Sequence, residues 1–575
     1  MTPTKTGPKP ARRMTQVAEY SVKKPGAPTD LKLDANEGTP PPKALLDRLH
    51  DFGDALFCRY VKATFLEEKL ARVHGVEPGQ VLVTAGGDEA IDRVCRAFVE
   101  PGSEIVLPHP TFDMFYAFGR LAQGVMRPVP WFGETFPTDA FCAAITENTS
   151  LVIVVSPNNP TGVAVAFDDI RQLSEAAPHA VILLDMAYGP FADVNLAAQV
   201  RELPNVIGVF TFSKAFGMAG LRVGYARGPA HLIETMRAAG APYPCSNASL
   251  SLAAAWLDEG GDVIATNIAN IRKERAALEK TIDELGGRAV PSQANFVFAR
   301  FRDADWVIDA MAGMGVLLRR IPDQGEFEGG LRITCPNDVN DFQRLNGALQ
   351  TVLSPQALLF DMDGVLVDVS GSYRQAILQT AASFGATINE ADIAEAKAAG
   401  GANDDWELTH RLIATAGIDA SLEEVTERFE ELYQGANGTP GLKENETLVP
   451  SAQWLAALAE RYLLGIVTGR PRSDAESFLR KHDIERFFAT VVTREDGPLK
   501  PDPTPLRIAM ERLGISRTWY LGDTPDDIRS ARSAGVLPIG VAAPGDDHGI
   551  VSSVLVGQGA ARVLEKLQQL EELLP

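Results

Sequence analysis

Cysteine is scarce in this chain, since only five of its 575 residues are cysteine. The five are scattered, and none lies in the last 240 residues: Cys58, Cys95, Cys142, Cys245 and Cys335. An odd, scattered set without metal-ligand spacing argues against a disulfide framework and against a thiolate zinc site. We therefore expect a protein of a reducing compartment, the cytoplasm.

Long apolar runs and an excess of positive charge are also missing. No stretch approaches the ~18 uninterrupted apolar residues of a membrane span, so we expect no membrane partner. The first sixteen residues are polar and contain prolines, which predicts no secretory signal and a flexible segment over residues 1–29. Lysine and arginine number 54 against 75 acidic residues, and the formal charge of -21 disfavours nucleic acid as a partner.

What the chain does contain is an alternation of short apolar runs and amphipathic segments, without internal repeats. At ~150 residues per domain, the length predicts three or four domains. Apolar runs that end in Gly, Asp, Ser or Asn are typical of parallel strands joined by helices. The clearest runs are residues 81–84, 151–155, 181–184, 206–212, 463–467 and 519–521. We therefore predict an α/β protein with mostly parallel sheets.

The middle of the chain joins two such regions through a short connection. Residues 270–285 predict a long helix, 331–334 a strand and 339–353 a closing helix. Only the linker 354–356 separates that helix from the next apolar run, and three extended residues span roughly 10 Å. We therefore expect the two regions to stay close to each other within one molecule.

Polar motifs follow the strands of the first region. Gly86 to Glu89 follow one strand and begin a helix, which presents free NH groups and the positive helix end to a phosphate. Comparable motifs follow later strands: residues 156–162 (SPNNPTG), 185–188 (DMAY), 213–214 (SK) and Arg222. A tight turn or a surface lysine is the ordinary explanation for each alone. Their common position after strands predicts one site.

Through these motifs, residues 30–350 resemble the fold type I, pyridoxal-phosphate-dependent aminotransferases, most of all the histidinol-phosphate aminotransferase branch. The resemblance implies an aminotransferase over residues 30–353. Its large, mostly parallel sheet domain would cover about 45–265, and its small α+β domain 30–44 and about 266–353. It also implies pyridoxal 5'-phosphate as cofactor, with Lys214 bonding to it covalently and later moving the substrate proton.

The resemblance assigns roles to further residues of this first site. Asp185 would keep the pyridine nitrogen protonated, and Asn159 and Tyr188 would hydrogen-bond the ring hydroxyl. Phe112 would stack on the ring, and Arg332 would bind the substrate carboxylate through its fork. Four residues would hold the cofactor phosphate: Gly87, Asp88, Ser213 and Arg222.

Some positions bear on assembly and on substrate. Tyr60, in the pair Arg59-Tyr60, would reach the cofactor phosphate of the neighbouring subunit, which implies a homodimer. Phe112 stands where a tyrosine is commoner, and Met186 where an acid is usual. Residues 34–38 (DANEG) follow the branch's amino-terminal motif only in part. These departures concern the substrate rather than the chemistry.

A second set of motifs begins at residues 361–364 (DMDG) and continues at 468–470 (TGR), 500–501 (KP) and 522–527 (GDTPDD). A carboxylate can attack phosphorus only if cations mask its charge and that of the phosphate. Acids at strand ends can gather a magnesium ion for this purpose. A lone DxD is commonly a solvated loop, but four motifs in order predict a phosphoryl-transfer site.

From residue 357 to about 572 these motifs resemble the haloacid dehalogenase superfamily, in its phosphoglycolate-phosphatase-like branch. The resemblance implies a Rossmann-like phosphatase over 357–575, with a helical cap inserted at about 372–446. Asp361 would be the nucleophile and Asp363 the general acid and base, which points to phosphate esters as substrates. Thr468 and Lys500 would bind phosphoryl oxygens. Four aspartates would hold Mg²⁺: Asp361, Asp363, Asp523 and Asp527. Asp363 would do so through its backbone carbonyl.

Taken together, the two resemblances predict one bifunctional enzyme acting on small molecules. The first half would exchange an amino group between glutamate and imidazole-acetol phosphate, and the second would hydrolyse the resulting histidinol phosphate, a step of histidine synthesis. Three alternatives stay open. One is another phosphorylated or aromatic amino acid with a different phosphatase substrate. The others are an assembly module without turnover and a phosphatase of pyridoxal phosphate itself. The cap contacts that would choose the substrate are not ranked: Tyr373, Arg374, Trp406 and Arg411.

Overall fold

The structure is a computed structural model, and it describes residues 9–19, 25–52, 55–322, 327–401, 404–436 and 438–575. The predicted flexible segment 1–29 falls partly on residues 1–8 and 20–24, which lie outside the described residues. No helix in the described ranges combines the length and apolar character required to cross a membrane.

Within the described ranges the strands form five sheets. In chain order they are β1 (Leu31–Lys32), β2 (Val81–Thr84), β3 (Glu104–His109), β4 (Val125–Pro130), β5 (Thr149–Val155), β6 (Val181–Asp185), β7 (Val206–Thr211), β8 (Gly224–Arg227), β9 (Arg288–Val290), β10 (Phe296–Arg300), β11 (Val316–Leu317), β12 (Arg319–Arg320), β13 (Gly330–Thr334), β14 (Ala357–Phe360), β15 (Val367–Asp368), β16 (Thr447–Leu448), β17 (Leu463–Val467), β18 (Phe488–Val492), β19 (Thr518–Gly522), β20 (Leu537–Val541) and β21 (Val563–Leu564).

The α-helices alternate with these strands. In chain order they are α1 (Ala55–Cys58), α2 (Thr64–His74), α3 (Gly86–Phe98), α4 (Met114–Leu121), α5 (Thr138–Ala144), α6 (Phe167–Ala176), α7 (Leu196–Gln199), α8 (Ala230–Ala238), α9 (Asn247–Glu259), α10 (Gly261–Glu284), α11 (Ala304–Gly313), α12 (Val339–Leu353), α13 (Tyr373–Ser383), α14 (Glu390–Ala399), α15 (Asp405–Thr415), α16 (Leu422–Gln434), α17 (Ala452–Ala459), α18 (Arg472–Lys481), α19 (Thr504–Leu513), α20 (Pro525–Ala534), α21 (His548–Gln558) and α22 (Leu570–Leu573).

The described residues form two compact units. The first contains residues 9–19, 33–304 and 319–342, and the second contains residues 25–32, 305–318 and 343–575, within the described ranges. The predicted domain bounds follow the motifs rather than these units, and they stay a prediction.

The first unit is built on a seven-stranded sheet in the order β2-β8-β7-β6-β5-β3-β4. Strand β8 runs antiparallel to both neighbours, and the pairs from β7 to β4 are parallel. Alternate residues of β5 enter different cores, Ile153 with helices α3, α4 and α8, and Val152 with α2, α6 and α9. Burial on both faces explains why the strands are uninterrupted apolar runs. A four-stranded antiparallel sheet, β12-β13-β10-β9, completes this unit.

The second unit is built on a six-stranded, fully parallel sheet in the order β18-β17-β14-β19-β20-β21. Helices α13 to α16 are inserted between β15 and β16, which pair with each other as a short antiparallel ribbon. The predicted α/β class, with a large mostly parallel sheet and a Rossmann-like parallel sheet, is confirmed.

Candidate active sites

The motifs of the first unit meet at one edge of the seven-stranded sheet. The parallel strands β3 and β5 are followed directly by residues 110–112 and 156–159. The parallel strand β7 is followed, after Phe212, by residues 213–214. Strand β8 is antiparallel, so Arg222, just before its first residue, reaches the same edge. The carboxyl edge of a parallel sheet is where α/β proteins bind ligands.

Lys214 carries a lowered pKa at this edge. Its Nζ donates a hydrogen bond to the carbonyl oxygen of Ala35 at 2.9 Å and lies 5.7 Å from the centre of the Tyr188 ring. Burial, and next the charge of Arg332, lower the pKa of Lys214 to about 8. A lysine needs its neutral form to attack an aldehyde carbon, and this environment favours that form.

Asp185, the last residue of β6, is a buried carboxylate with 7% exposure. Its Oδ1 accepts a hydrogen bond from the backbone NH of Ala187 at 2.9 Å. Burial raises the pKa of Asp185 to about 6, against the opposing effects of that hydrogen bond and of Lys214. A carboxylate in this setting gains most from a cationic NH partner, because a buried charge is costly without one.

Tyr188 and Asn36 form a hydrogen-bonded pair that sequence reasoning did not single out. The Asn36 Nδ2 donates to the Tyr188 hydroxyl at 3.0 Å, and Thr334 Oγ1 donates to Asn36 Oδ1 at 2.9 Å. Burial raises the pKa of Tyr188, so its hydroxyl stays protonated. Asn36 lies in the segment 34–38, whose partial match to the branch motif was the available signal.

Arg332, on β13, connects the small sheet with the motif after β5. Its NH1 donates to Asn159 Oδ1 at 2.7 Å, its NH2 donates to the Asp34 carbonyl oxygen at 2.6 Å, and its guanidinium lies 5.4 Å from the Phe296 ring. The side chain is only 8% exposed. Two distant segments of sequence therefore meet, and a planar fork suited to carboxylate or phosphate lies among them.

The predicted phosphate end lies where α3 begins. Gly86 has a φ of +81°, and a Cβ there would lie 2.7 Å from Arg222 NH2, so glycine is required for this close approach. Arg222 NH2 donates to Asp88 Oδ2 at 2.8 Å, and both side chains are about half exposed. Gly87 and Asp88 lie in the first helical turn, whose NH groups have no partner within the helix.

Three further predicted residues have defined surroundings. Ser213 is 6% exposed, and its NH donates to Thr211 Oγ1 at 3.1 Å. The Phe112 ring meets Phe115 edge on at 6.0 Å. The Tyr60 ring is 86% exposed and stacks on Tyr243 at 4.8 Å.

These residues fit pyridoxal 5'-phosphate. Lys214 has the lowered pKa that bonding to the cofactor aldehyde requires, and Asp185 can pair with a protonated ring nitrogen. Tyr188 offers a hydroxyl, and the start of α3 with Arg222 offers NH groups to a phosphate.

The second set of motifs meets at one edge of the six-stranded sheet. Asp361, Thr468 and Asp523 each follow directly after one of the adjacent parallel strands β14, β17 and β19. Lys500 lies between β18 and α19 and is buried, and Asp527 lies in the first turn of α20. Thr468 is also buried, and its Oγ1 accepts a hydrogen bond from the backbone NH of Arg470 at 3.2 Å.

Lys500 lies between two carboxylates. Its Nζ is 3.0 Å from Asp361 Oδ1 and 2.6 Å from Asp527 Oδ1. Burial disfavours its charge, but the two carboxylates outweigh burial and raise the pKa of Lys500. Its Nζ also donates to the Tyr520 hydroxyl at 2.9 Å, which in turn donates to Asp527 at 2.9 Å. Lys500 is a fixed cation beside the predicted nucleophile.

Three of the four aspartates predicted to bind the metal form one cluster. Oxygen atoms of Asp361, Asp523 and Asp527 lie within 4.8 Å of one another. Burial raises the pKa of Asp361 to about 7 and also raises the pKa of Asp523. Gly364 has a φ of +75°, and a Cβ there would lie 2.3 Å from Asp523 Oδ2. Carboxylate oxygens are preferred ligands of Mg²⁺, so the donor set fits that ion.

The Asp363 carboxylate has a different partner, because it pairs with Arg470 at 2.5 Å. Its predicted metal contact uses the backbone carbonyl, so the two roles are compatible. Arg470 entered the sequence analysis only as the last letter of the TGR motif. Glu446, the partner of Arg470, carried no functional signal in the sequence, and neither did Tyr520, which contacts Lys500 and Asp527. Their contacts become apparent only in the fold.

The four cap residues named from the sequence all have partners within the protein. The Tyr373 ring stacks on Tyr433 at 4.4 Å, and Arg374 pairs with Asp546 at 2.7 Å. Trp406 Nε1 donates to Glu430 at 3.0 Å, and Arg411 NH1 donates to the Gly401 carbonyl oxygen at 3.1 Å. Their contacts with a substrate stay a prediction.

Comparison with known families confirms both predicted families. Residues 29–345 match the family model of class I and II aminotransferases, and residues 358–541 match that of haloacid dehalogenase-like hydrolases. The chain belongs to the class I and II aminotransferases, for which pyridoxal phosphate is the expected cofactor, and it carries a hydrolase domain of the second family. It is an enzyme with transferase and hydrolase domains.

Individual relatives are similar to parts of the chain. The histidinol-phosphate aminotransferase of Thermoanaerobacter pseudethanolicus is 33% identical over 292 residues, which cover 50% of this chain and 82% of that protein. An imidazoleglycerol-phosphate dehydratase of Phytophthora nicotianae is 47% identical over 197 residues, which cover 33% of this chain and 44% of that relative. The chain thus spans less than half the length of this second relative.

A solved structure shares the aminotransferase fold. The histidinol-phosphate aminotransferase of Sinorhizobium meliloti, in complex with pyridoxal-5'-phosphate, is similar with a TM-score of 0.52 and 24% identity. The match covers 56% of this chain and 90% of that structure.

Proposed function

We propose that the first unit exchanges an amino group between glutamate and imidazole-acetol phosphate, giving histidinol phosphate, and that the second hydrolyses a phosphate monoester with Mg²⁺. The observation that carries the first half is Lys214 with a lowered pKa near Asp185 and Arg332. The name shared by the aminotransferase relatives supports the substrate.

In transamination, the bound pyridoxal phosphate supplies an electron sink for the substrate carbon. Lys214 Nζ, once free of the cofactor, would take the proton from that carbon and return it to the cofactor. Asp185 would hold the ring nitrogen protonated, and Tyr188 and Asn159 would hydrogen-bond the ring hydroxyl. Arg332 presents a fork suited both to the carboxylate of glutamate and to the phosphate of histidinol phosphate.

In phosphate ester hydrolysis, an oxygen of Asp361 would attack phosphorus while the bond to the leaving oxygen breaks. Asp363 would protonate the leaving oxygen, and it would then take a proton from the water that releases phosphate from Asp361. Lys500 and Thr468 would hold the phosphoryl oxygens. The cluster of Asp361, Asp523 and Asp527 supports Mg²⁺ as the metal, with Asp363 contributing its carbonyl.

We also propose a homodimer in the cytoplasm. The exposure of the Tyr60 ring supports the dimer, because an exposed side chain is accessible to a second copy of the chain. Mixing Lys214→Ala with Tyr60→Ala protomers tests this, since a mixed dimer has one site with both defects and one with neither. Activity should return to about a quarter of wild type after random exchange. No recovery despite verified exchange would show that Tyr60 serves its own chain.

One assay tests the proposed chemistry directly. The full chain, loaded with pyridoxal phosphate and Mg²⁺, is incubated with histidinol phosphate and 2-oxoglutarate, while glutamate and inorganic phosphate are measured. Both should form, and a panel of aromatic and phosphorylated amino acids should react more slowly. If another amino acid outperforms histidinol phosphate as donor, the proposed substrate is wrong although the chemistry stands. Absence of phosphate release from any monoester would contradict the phosphatase.

A further inference from the structure

The two chain segments that lead into and out of the cap of the second unit converge on one carboxylate, Glu446. The segments pair as strands β15 and β16. Ser372 Oγ, after the first segment, donates to Glu446 Oε1 at 3.0 Å, and the hydroxyl of Tyr433, on α16, donates to the same oxygen at 3.1 Å. Glu446 itself immediately precedes β16. Glu446 therefore links both connections and one cap helix through direct contacts.

Arg470 links this carboxylate to the catalytic acid. Its NH1 and NH2 donate to the two oxygens of Glu446 at 3.0 and 3.1 Å. Its Nε and NH2 lie 2.7 and 2.5 Å from Asp363 Oδ1. The guanidinium also lies 5.0 Å from the centre of the Tyr373 ring, at the start of the first cap helix.

The burial of the charged side chains of Arg470 and Glu446 indicates a role beyond stability. The side chains of Arg470 and Glu446 are 1% and 3% exposed, whereas that of Asp363 is 26% exposed. Buried ion pairs contribute little net stability, because the cost of desolvation offsets the attraction. Two carboxylates that bind one guanidinium do, however, fix their orientation relative to each other. The more exposed of the two, Asp363, is the acid that a substrate would contact.

We propose that Arg470 and Glu446 are positioning residues, which set the orientation of the Asp363 carboxylate according to the position of the cap connections. The proposal rests on the phosphatase function proposed above. Arg470 contacts Oδ1 of Asp363, so Oδ2 would be the oxygen that serves the leaving group. Movement of the connections shifts Glu446, and Arg470 transmits that shift to Asp363.

The consequence concerns the leaving group. When Asp361 attacks phosphorus, the departing oxygen of phenyl phosphate takes a proton from Asp363 as the bond to phosphorus breaks. The departing oxygen of 2,4-dinitrophenyl phosphate belongs to a much stronger acid and leaves as the anion without that proton. A displaced Asp363 therefore slows the first ester far more than the second.

The test compares Glu446→Gln with wild type, using the full chain with Mg²⁺. The substitution keeps an oxygen for Tyr433 and Ser372 but removes the charge and one acceptor from Arg470. Turnover of phenyl phosphate should fall at least about 100-fold in kcat, with little change in KM. Single-turnover release of dinitrophenolate should stay within about threefold of wild type.

A matched control is Glu476→Gln, which breaks an exposed pair with Arg480 at 3.5 Å in the same unit. It should leave both reactions unchanged, since exposed pairs contribute little. Unfolding midpoints of all variants identify loss of folding. If Glu446→Gln fails to fold, Tyr433→Phe removes one hydrogen bond to Glu446 and should lower the ratio of phenyl to dinitrophenyl phosphate rates in the same direction.

Equal losses on both esters in a folded variant would overturn the proposal, since they would mean a general structural role. Unchanged rates on both esters would overturn it as well. A wild type inactive on every ester with Mg²⁺ would instead overturn the phosphatase function itself, so the two failures are distinguishable.

Discussion

The two units shift the pKa of a buried lysine in opposite directions, and Lys214 and Lys500 show the contrast. Lys214 is buried near the cation of Arg332, and its pKa falls to about 8. Lys500 is buried too, but Asp361 and Asp527 lie 3.0 and 2.6 Å from its Nζ, and its pKa rises. Burial is common to both, so the neighbouring charges decide whether a lysine becomes a nucleophile or a permanent cation.

The two sites also differ in how they hold their acids. Asp185 makes no ion pair among the residues that the structure describes, and burial raises its pKa to about 6. Burial also acts on Asp527, but Lys500 outweighs it and lowers the pKa of that carboxyl. The first site thus contains a buried carboxylate with which a ligand cation could pair, whereas the second is a network of paired charges whose acid oxygens are close enough to hold a metal ion.

The largest expected effect separates the two lysine roles. Lys214→Ala should lower transamination at least about 10⁴-fold, because the variant lacks the residue proposed to bond to the cofactor and to move the proton. Phosphate release from a monoester should stay within about twofold of wild type. The measurement is glutamate and phosphate formation by one preparation. Parallel loss of both activities would contradict independent sites.

The reciprocal change targets the second site. Asp361→Asn should lower phosphate release at least about 10³-fold, since an amide neither attacks phosphorus nor binds Mg²⁺ as well. Removal of metal with EDTA should act likewise, while the absorbance of the bound pyridoxal phosphate stays unchanged. Hydrolysis that persists at this site without metal would disprove the proposed role of the acid cluster.

The sequence predicted the strands and helices of the backbone better than the contacts between side chains. Apolar runs predicted strands such as 206–212, observed as β7 (Val206–Thr211), and the closing helix 339–353 is α12 with the same bounds. The helix predicted at 270–285 begins earlier, at Gly261. The spacing of apolar residues carries this information, because the residues on the buried face of a strand or helix recur at a fixed interval along the sequence.

Side-chain networks between distant segments were not predictable in the same way. Asn36 meets Tyr188 across 152 positions, and Glu446 meets Arg470 across 24. No spacing rule relates such residues, because the fold rather than the local sequence brings them together. Motif order pointed to candidate residues at strand ends, whereas the side chains that contact them became apparent only in the structure.

Substrate choice by the phosphatase is the next prediction. The specificity constant for histidinol phosphate should exceed those for phosphoglycolate, pyridoxal phosphate and phosphoserine at least ~100-fold, or about 2.7 kcal/mol. A cap that fits its ester provides this discrimination in the transition state. Steady-state phosphate release across the four esters measures it. If histidinol phosphate ranks among the poor substrates, the two units do not catalyse consecutive steps.

The smallest effect is the pH dependence of cofactor binding. Lys214 has a pKa lowered to about 8, so its neutral fraction rises between pH 7 and pH 9 and then levels off. The rate at which cofactor-free protein takes up pyridoxal phosphate should rise about tenfold over that interval. Stopped-flow absorbance measures this rate. A rate that keeps rising beyond pH 10 would show an unperturbed lysine.

Borohydride reduction of the loaded protein, followed by peptide mapping, tests the contrast between the two lysines most directly. Reduction makes any bond between a lysine and pyridoxal phosphate permanent. The account predicts one modified peptide, the one that contains Lys214, and no modification of Lys500, whose charge is held by Asp361 and Asp527. Modification of Lys500 instead of Lys214, or no adduct at all, would contradict the account.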